Sequence, residues 1–92
     1  MSDTAAVFAR FQVLADTCPG LLPRLLQPLA KRDLVADTFH ATREGDATRV
    51  DVALHAMPAG MVHPVAGNLG QVVGVREVRV LQCGPEMLRR AA

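Results

Sequence analysis

Aromatic side chains are scarce in this sequence of 92 residues, which contains three phenylalanines and neither tryptophan nor tyrosine. Half of the residues are nevertheless hydrophobic. A chain of this length forms one domain with a single modest core. That core must therefore be aliphatic.

Charge of one sign and long apolar runs are also lacking. The net charge of +1 gives no electrostatic reason to expect a nucleic acid or an anionic membrane as partner. No apolar run approaches the about 20 residues that cross a bilayer. The first ten residues lack the basic start and long apolar segment of a signal peptide. A cytoplasmic location is the expectation.

Cysteine and metal-ligand patterns are equally sparse. Cys18 and Cys83 are the only two cysteines, too few and too far apart for a disulfide scaffold, so two free thiols are expected. His40, His55 and His63 do not have the spacing of metal ligands. We therefore expect no metal and no other cofactor.

The segment from residue 7 to residue 20 predicts a strand that enters a tight turn. Alternate residues over 7–15 are apolar, which is typical of a strand with one buried face. Pro19 and Gly20 then allow a sharp turn after Cys18. The N–H groups at the start of the next helix are expected to lack internal partners and to be able to hold a carboxylate.

A leucine-rich helix is predicted over 20–32, because its leucines recur at i, i+4 and i+8. Pro28 removes the hydrogen bond to the Arg24 carbonyl, so a kink or an early end is expected. The stripe expected to be buried consists of Leu21, Leu22, Leu25, Leu26 and Leu29.

Two strands joined by a hairpin are predicted next. Residues 34–43 form a strand of mixed quality, and the spacing of Ala36 and Phe39 suggests a bulge. Glu44-Gly45-Asp46 is a turn signal. The strand over 48–57 alternates clearly, and the residues expected to face the core are Val50, Val52, Leu54 and Ala56.

The remainder predicts a second helix over 58–73, with Pro64 near its start, and a last strand over 75–81. The expected inward residues of the helix are Met61, Val62, Val65, Ala66, Leu69, Val72 and Val73. Val78 and Val80 are the expected core pair of the strand. A domain over 7–82 and a short flexible C-terminal tail over 83–92 complete the assignment.

This order of elements predicts an α+β, ferredoxin-like βαββαβ fold. Right-handed crossovers place both helices on one face of a four-stranded antiparallel sheet with strand order 4-1-3-2. The other face is open and polar, and it carries Arg10, Gln12, Arg49, Asp51 and His55. RNA-binding sheets need exposed aromatics at such positions, which argues against that function.

Three segments resemble the ACT domain family, and more narrowly the short, single-ACT small regulatory subunit of acetolactate synthase. They are Leu14-Ala15-Asp16-Thr17-Cys18-Pro19-Gly20-Leu21, Lys31-Arg32-Asp33-Leu34 and Gly70-Gln71-Val72-Val73-Gly74-Val75. The resemblance covers about residues 7–82. It implies a non-catalytic module that pairs with itself as a homodimer through a sheet edge. It also implies activation or stabilisation of a larger, thiamine-diphosphate-dependent catalytic subunit in branched-chain amino acid biosynthesis.

The resemblance also indicates where a small amino acid effector would bind. The implied effector residues are Asp16, Thr17, Cys18, Pro19, Gly20, Leu21, Asp33 and Val35. Thr17 and Val35 stand where the family usually has Asn, and Asp33 stands where it usually has Gly. Val35 cannot hydrogen-bond a ligand through its side chain, and Asp33 would repel a carboxylate. Weak binding of valine, or none, is therefore expected.

The partner interface is expected on the open sheet face, at Arg10, Arg49 and Asp51. No catalytic residue is identified, and the chain is expected not to be an enzyme. One alternative is a free-standing ACT sensor that binds a small amino acid at a homodimer interface. Another is a small ferredoxin-like enzyme, which the lack of convergent polar residues disfavours.

Overall fold

The computed structural model describes residues 5–84, and it confirms the βαββαβ order. The strands are β1 (Ala6–Asp16), β2 (Thr38–Glu44), β3 (Ala47–Pro58) and β4 (Val75–Cys83). The helices are α1 (Leu21–Ala30) and α2 (Val62–Gly70), and a 3₁₀ turn (Ala59–Met61) precedes α2. The predicted tail lies outside the described residues from residue 85 onward, while β4 itself continues to Cys83.

All neighbouring strands are antiparallel, and the sheet order is β2-β3-β1-β4. This is the predicted order read from the opposite edge. β1 and β3 are the central strands, whereas β2 and β4 each have one edge that pairs with no strand of residues 5–84. The fold therefore presents two open edges, and one sheet face that the helices do not cover.

The core is aliphatic with one phenylalanine, as the composition predicted. It lies between the helices and the inner face of the sheet. Its buried members are Val7, Ala9, Phe11, Val13, Ala15, Leu21, Leu25, Leu29, Val50, Val52, Leu54, Met57, Val62, Val65 and Leu69.

Two bulges set the sheet register, and neither lies in β2, where the sequence suggested one. Val7 pairs with Met57 and Ala9 with Leu54, so β3 contains one extra residue at this point. Because of the extra residue, the next core-facing side chain of β3 after Leu54 is that of Met57, three positions later. Ala56, which was expected to face the core, is consequently exposed.

The second bulge lies in β4, where Leu14 pairs with Glu77 and Ala15 with Val75. The extra residue is Arg76, which the bulge places beside Asp16. β2 itself begins at Thr38 and pairs with β3 without a shift in register. The predicted start of this strand at residue 34 was wrong, because residues 34–37 form an irregular connection before the strand.

α1 ends at Ala30, two residues beyond Pro28 and before the predicted boundary. Its C-terminus is closed by hydrogen bonds from the Asp33 N–H to the Ala30 carbonyl and from the Leu34 N–H to the Leu29 carbonyl. Asp33 has φ +55°. This is a Schellman-type ending, which places a left-handed residue at Asp33.

The leucine stripe of α1 is narrower than predicted. Leu21, Leu25 and Leu29 are buried. Leu22 and Leu26 are 37% and 40% exposed, because they follow the edge of the stripe and not its centre. Val73 and Val80 are also exposed, since they lie in a loop and on the edge strand β4, respectively. Their expected place in the core was wrong.

Candidate functional sites

The turn between β1 and α1 depends on Gly20, which has φ +79° and caps the helix in a left-handed conformation. A side chain at this position would meet only ordinary contacts, with Arg24 atoms 3.9 Å from the Cβ position. Glycine is therefore favoured here by the backbone angle and not by lack of space. This conformation directs the chain from the end of β1 into α1.

Fewer backbone donors are free at this turn than the sequence suggested. The Leu21 N–H donates to the Cys18 carbonyl at 3.3 Å, while the bond from the Arg24 N–H to the Gly20 carbonyl at 3.3 Å is the first regular bond of the helix. Pro23 has no N–H to offer. A ligand at this turn would therefore rely on side chains more than on the backbone of the helix start.

A groove of about 410 Å³ lies beside this turn, between the start of α1 and the edge strand β2. We call it the edge groove. Its lining residues are Cys18, Gly20, Leu21, Leu22, Pro23, Ala41, Arg43 and Thr48. Three of the eight predicted effector residues, Cys18, Gly20 and Leu21, thus share one concave surface.

Asp16 and Thr17 lie next to the edge groove but already have partners. The Asp16 carboxylate accepts a hydrogen bond from Arg76 Nε at 2.6 Å. The backbone N–H of Asp16 donates to the Gly74 carbonyl at 2.8 Å. The Thr17 and Thr48 hydroxyls are hydrogen-bonded at 2.8 Å. These groups hold the end of β1 in place. A ligand would have to compete for them.

Asp33 and Val35 lie at the opposite end of α1 from the turn. A helix of ten residues is about 15 Å long, so one chain does not bring these residues to the edge groove. Val35 is 83% exposed and lies three residues before the start of β2. Pro19 is exposed in the turn itself. The predicted effector residues are therefore divided between the two ends of α1.

Arg43 is a residue of the edge groove that sequence reasoning missed. It lies on the helix-facing side of β2 with Phe39 and Ala41, opposite Thr48. Its Nε donates to the Gly45 carbonyl at 3.3 Å, and among residues 5–84 it forms no ion pair. The alternation of side chains along β2 would have placed Arg43 on the helix-facing side, but the predicted bulge obscured that alternation.

The open sheet face carries all three predicted partner residues, and their charges are compensated within the chain. Arg10 pairs with Asp51 at 3.1 Å, and Gln12 donates to the same carboxylate at 3.3 Å. Arg49 pairs with Glu44 at 3.4 Å. On β4, Arg79 pairs with Glu77. A shallow cavity of about 410 Å³ on this face is lined by Gln12, Arg49, Asp51, Glu77 and Arg79, among others, but not by Arg10.

The same face also has an apolar end that the sequence did not predict. Phe8 and His55 lie with ring centroids 5.9 Å apart, and the register places Phe8 opposite Cys83 and Arg10 opposite Leu81. Leu81 is 52% exposed. The open sheet face therefore combines charged side chains that pair with one another and exposed apolar side chains near β4.

The remaining candidate chemistry is sparse in the part of the chain that the structure describes. Cys18 and Cys83 are both free thiols. No three His, Cys, Asp or Glu side chains of residues 5–84 are grouped as metal ligands. Within the same range, no helix is both long enough and apolar enough to span a membrane.

Neither a protein-family model nor a curated protein matches the sequence. Solved structures do match the fold. The ACT domain from the GTP pyrophosphokinase of Chlorobium tepidum superposes with a TM-score of 0.72 at 14% identity, covering 83% of this chain and 99% of that domain.

Two further structures show how widely this architecture recurs. A homoserine dehydrogenase from Thiobacillus denitrificans matches with a TM-score of 0.68 at 15% identity, over 91% of this chain and 19% of that protein. The C-terminal domain of the MgtC protein from Mycobacterium tuberculosis gives 0.65 at 14% identity, over 92% and 95% of the two chains. At such identities the shared property is the fold alone.

Proposed function

We propose that this chain, whose fold is that of an ACT domain, is a non-catalytic regulatory module that pairs with a second copy of itself. The observation that carries the proposal is the surface around β2. This strand has one unpaired edge, and all of its residues except Phe39 are exposed. An open strand edge is a template for pairing with another chain.

Apolar side chains flank that edge. Leu22 lines the edge groove beside Ala41 and Arg43 of β2, and Leu26 follows it one helical turn later. Antiparallel pairing of two β2 strands would align these leucines with those of the second copy. The resulting contact is isologous, because the same patch is used on both chains.

Such pairing would also reunite the divided effector residues. In an antiparallel β2 pair, the start of one strand lies beside the end of the other. Val35 of a second copy would then approach the edge groove, which contains Cys18, Gly20 and Arg43. Arg43 is a suitable donor to a carboxylate. A complete ligand site would therefore require two chains.

We further propose that the module acts on a larger enzyme, in the manner of the acetolactate synthase small subunit. The sequence resemblance at Asp16–Leu21 and Gly70–Val75 supports this partner. The open sheet face supplies the contact surface, through Arg10, Arg49 and Asp51. Activation would follow from tighter binding to the active form of the enzyme than to its inactive form.

The test is acetolactate formation by a purified large subunit, with and without this chain. A higher rate or a higher thermal stability of the enzyme is the expected result. If this chain changes neither, the partner is wrong. The free-standing sensor is then the better account, and it is favoured by the uncompensated Arg43 in the edge groove. That reading requires saturable binding of a small amino acid without any enzyme.

A further inference from the structure

A second groove, of about 490 Å³, lies on the helix side of the molecule between α1 and the end of α2. We call it the helix groove. It is separate from both surfaces discussed above and shares no lining residue with the edge groove. Its lining residues are Arg24, Gln27, Pro28, Lys31, Arg32, Asn68, Gln71, Val72 and Val73. Its volume falls within the usual range of small-molecule sites, roughly 300–1,000 Å³.

Three cations line the helix groove, and no carboxylate of residues 5–84 does so. Arg24 lies on α1, and Lys31 and Arg32 directly follow its last residue, so the three positions span about 11 Å along the helix axis. The Arg32 guanidinium is held over the groove by donation from Nη1 to the Pro28 carbonyl at 3.5 Å. None of the three cations forms an ion pair within the described part of the chain.

Of the acidic side chains in residues 5–84, all but Asp33 have partners elsewhere in the fold; Asp33 directly follows Arg32 and is exposed, but it does not line the helix groove. Those on the strands and at the hairpin pair with arginines of the sheet: Asp16 and Asp46 with Arg76, Glu44 with Arg49, Asp51 with Arg10, and Glu77 with Arg79. The Asp37 carboxylate accepts a hydrogen bond from the backbone N–H of His55 at 2.6 Å. Within residues 5–84, the fold thus separates the ion pairs of the sheet and hairpin from the three unpaired cations that line the helix groove.

The groove also offers neutral donors and few competing acceptors. Gln27, Asn68 and Gln71 contribute carboxamides, whose N–H groups can donate to an anion. The last four carbonyls of α1, those of residues 27–30, all accept hydrogen bonds within the chain. The oxygens that would repel an anion at this helix end are therefore already engaged.

From these contacts we infer that the helix groove binds a small polyanion, a molecule that carries two or more phosphate or carboxylate groups. Lys31 and Arg32 hold one anionic group at the C-terminal end of α1, and Arg24 receives a second toward its N-terminal end. The carboxamides of Asn68 and Gln71 complete the contact from α2. This site is independent of the edge groove and of any enzyme partner.

The test is a titration of the protein with pyrophosphate and with citrate, followed by amide NMR shifts. Sodium chloride at matched ionic strength serves as the reference, since general screening affects all exposed charges. We expect saturable shifts at Gln27, Asn68 and Gln71 with at least one polyanion. Preference for pyrophosphate or citrate distinguishes a phosphate ligand from a carboxylate ligand.

Matched variants distinguish a specific site in the helix groove from general electrostatic attraction to the protein. Arg32→Gln and Lys31→Gln should each weaken binding by about tenfold, as expected for one lost charge-assisted contact. Arg79→Gln lowers the net charge equally but alters only the sheet face, so it should leave the affinity unchanged. Circular dichroism checks that each variant is folded. Equal losses in all three variants, or no saturable shift with either polyanion, would overturn the proposal.

Discussion

Replacing both exposed leucines of α1, as Leu22→Asp with Leu26→Asp, should convert the proposed homodimer into a folded monomer. Leu22 lines the edge groove beside β2, Leu26 follows it one helical turn later, and both side chains already contact solvent in the single chain. Neither leucine belongs to the buried core, although about three fifths of each is already covered within the chain. The substitutions remove the apolar part of the proposed dimer contact. Across the two chains they also add four carboxylates to that contact.

The size of the effect follows from the exposed fractions. Full burial of a leucine is worth about 1.5–3 kcal/mol. Leu22 and Leu26 are 37% and 40% exposed, so burying the remainder contributes about 0.6–1.2 kcal/mol for each side chain. A symmetric dimer contains four of them, which amounts to about 2.5–5 kcal/mol. The dissociation constant should rise by about two to four orders of magnitude, even before charge repulsion is included.

Sedimentation equilibrium at tens of micromolar provides the assay. The wild-type chain should be a dimer, and the double variant should be a monomer with an unchanged circular dichroism spectrum. Leu81→Asp is the matched control, because this leucine is 52% exposed at β4, the other edge of the sheet. A wild-type monomer would refute the reasoning. Dissociation by Leu81→Asp, with the double variant still dimeric, would place the contact at β4.

Calorimetry should detect no micromolar binding of valine to the wild-type chain, because the Thr17 hydroxyl already bonds Thr48 and each lost buried hydrogen bond costs about 1–3 kcal/mol. Val35→Asn combined with Asp33→Gly should raise that affinity, and tight wild-type binding would contradict the argument. Arg49→Glu should leave the fold and dimer intact yet reduce stimulation of acetolactate formation by roughly 1 kcal/mol or more; full stimulation would exclude this face. Gly20→Ala should lower the free energy of unfolding by about 1–2 kcal/mol through its left-handed backbone, whereas Gly67→Ala in α2, with open space around it, should raise it by about 0.5–1 kcal/mol. Equal stabilities of these two glycine variants in urea denaturation would show that the turn is not strained by a side chain.

The order of elements and the composition of the core could be predicted from the sequence, because both depend on local periodicity. Alternation over β1 and β3 and the i, i+4, i+8 leucines of α1 are readable within a few residues. The need for glycine at residue 20 follows in the same way from the Cys18-Pro19-Gly20 turn. Strand order then followed from the handedness of crossovers, which leaves few alternatives.

Register and side-chain pairing required the tertiary structure, because both depend on residues that are distant in the chain. The bulge opposite Val7 and Ala9 turns Ala56 outward, and nothing near Ala56 in the sequence signals it. The bulge at Arg76 joins that residue to Asp16, 60 positions away.

The candidate sites divide in the same way. The sequence by itself determined that Cys18, Gly20 and Leu21 lie together at one turn, since they are consecutive or nearly so. Only the tertiary structure decided that Arg43 joins them and that Asp33 and Val35 do not. The same holds for the helix groove, where Lys31 and Asn68 become neighbours because two helices pack on one face of the sheet. Charge compensation depends on such distances, and these are set by packing and not by position in the chain.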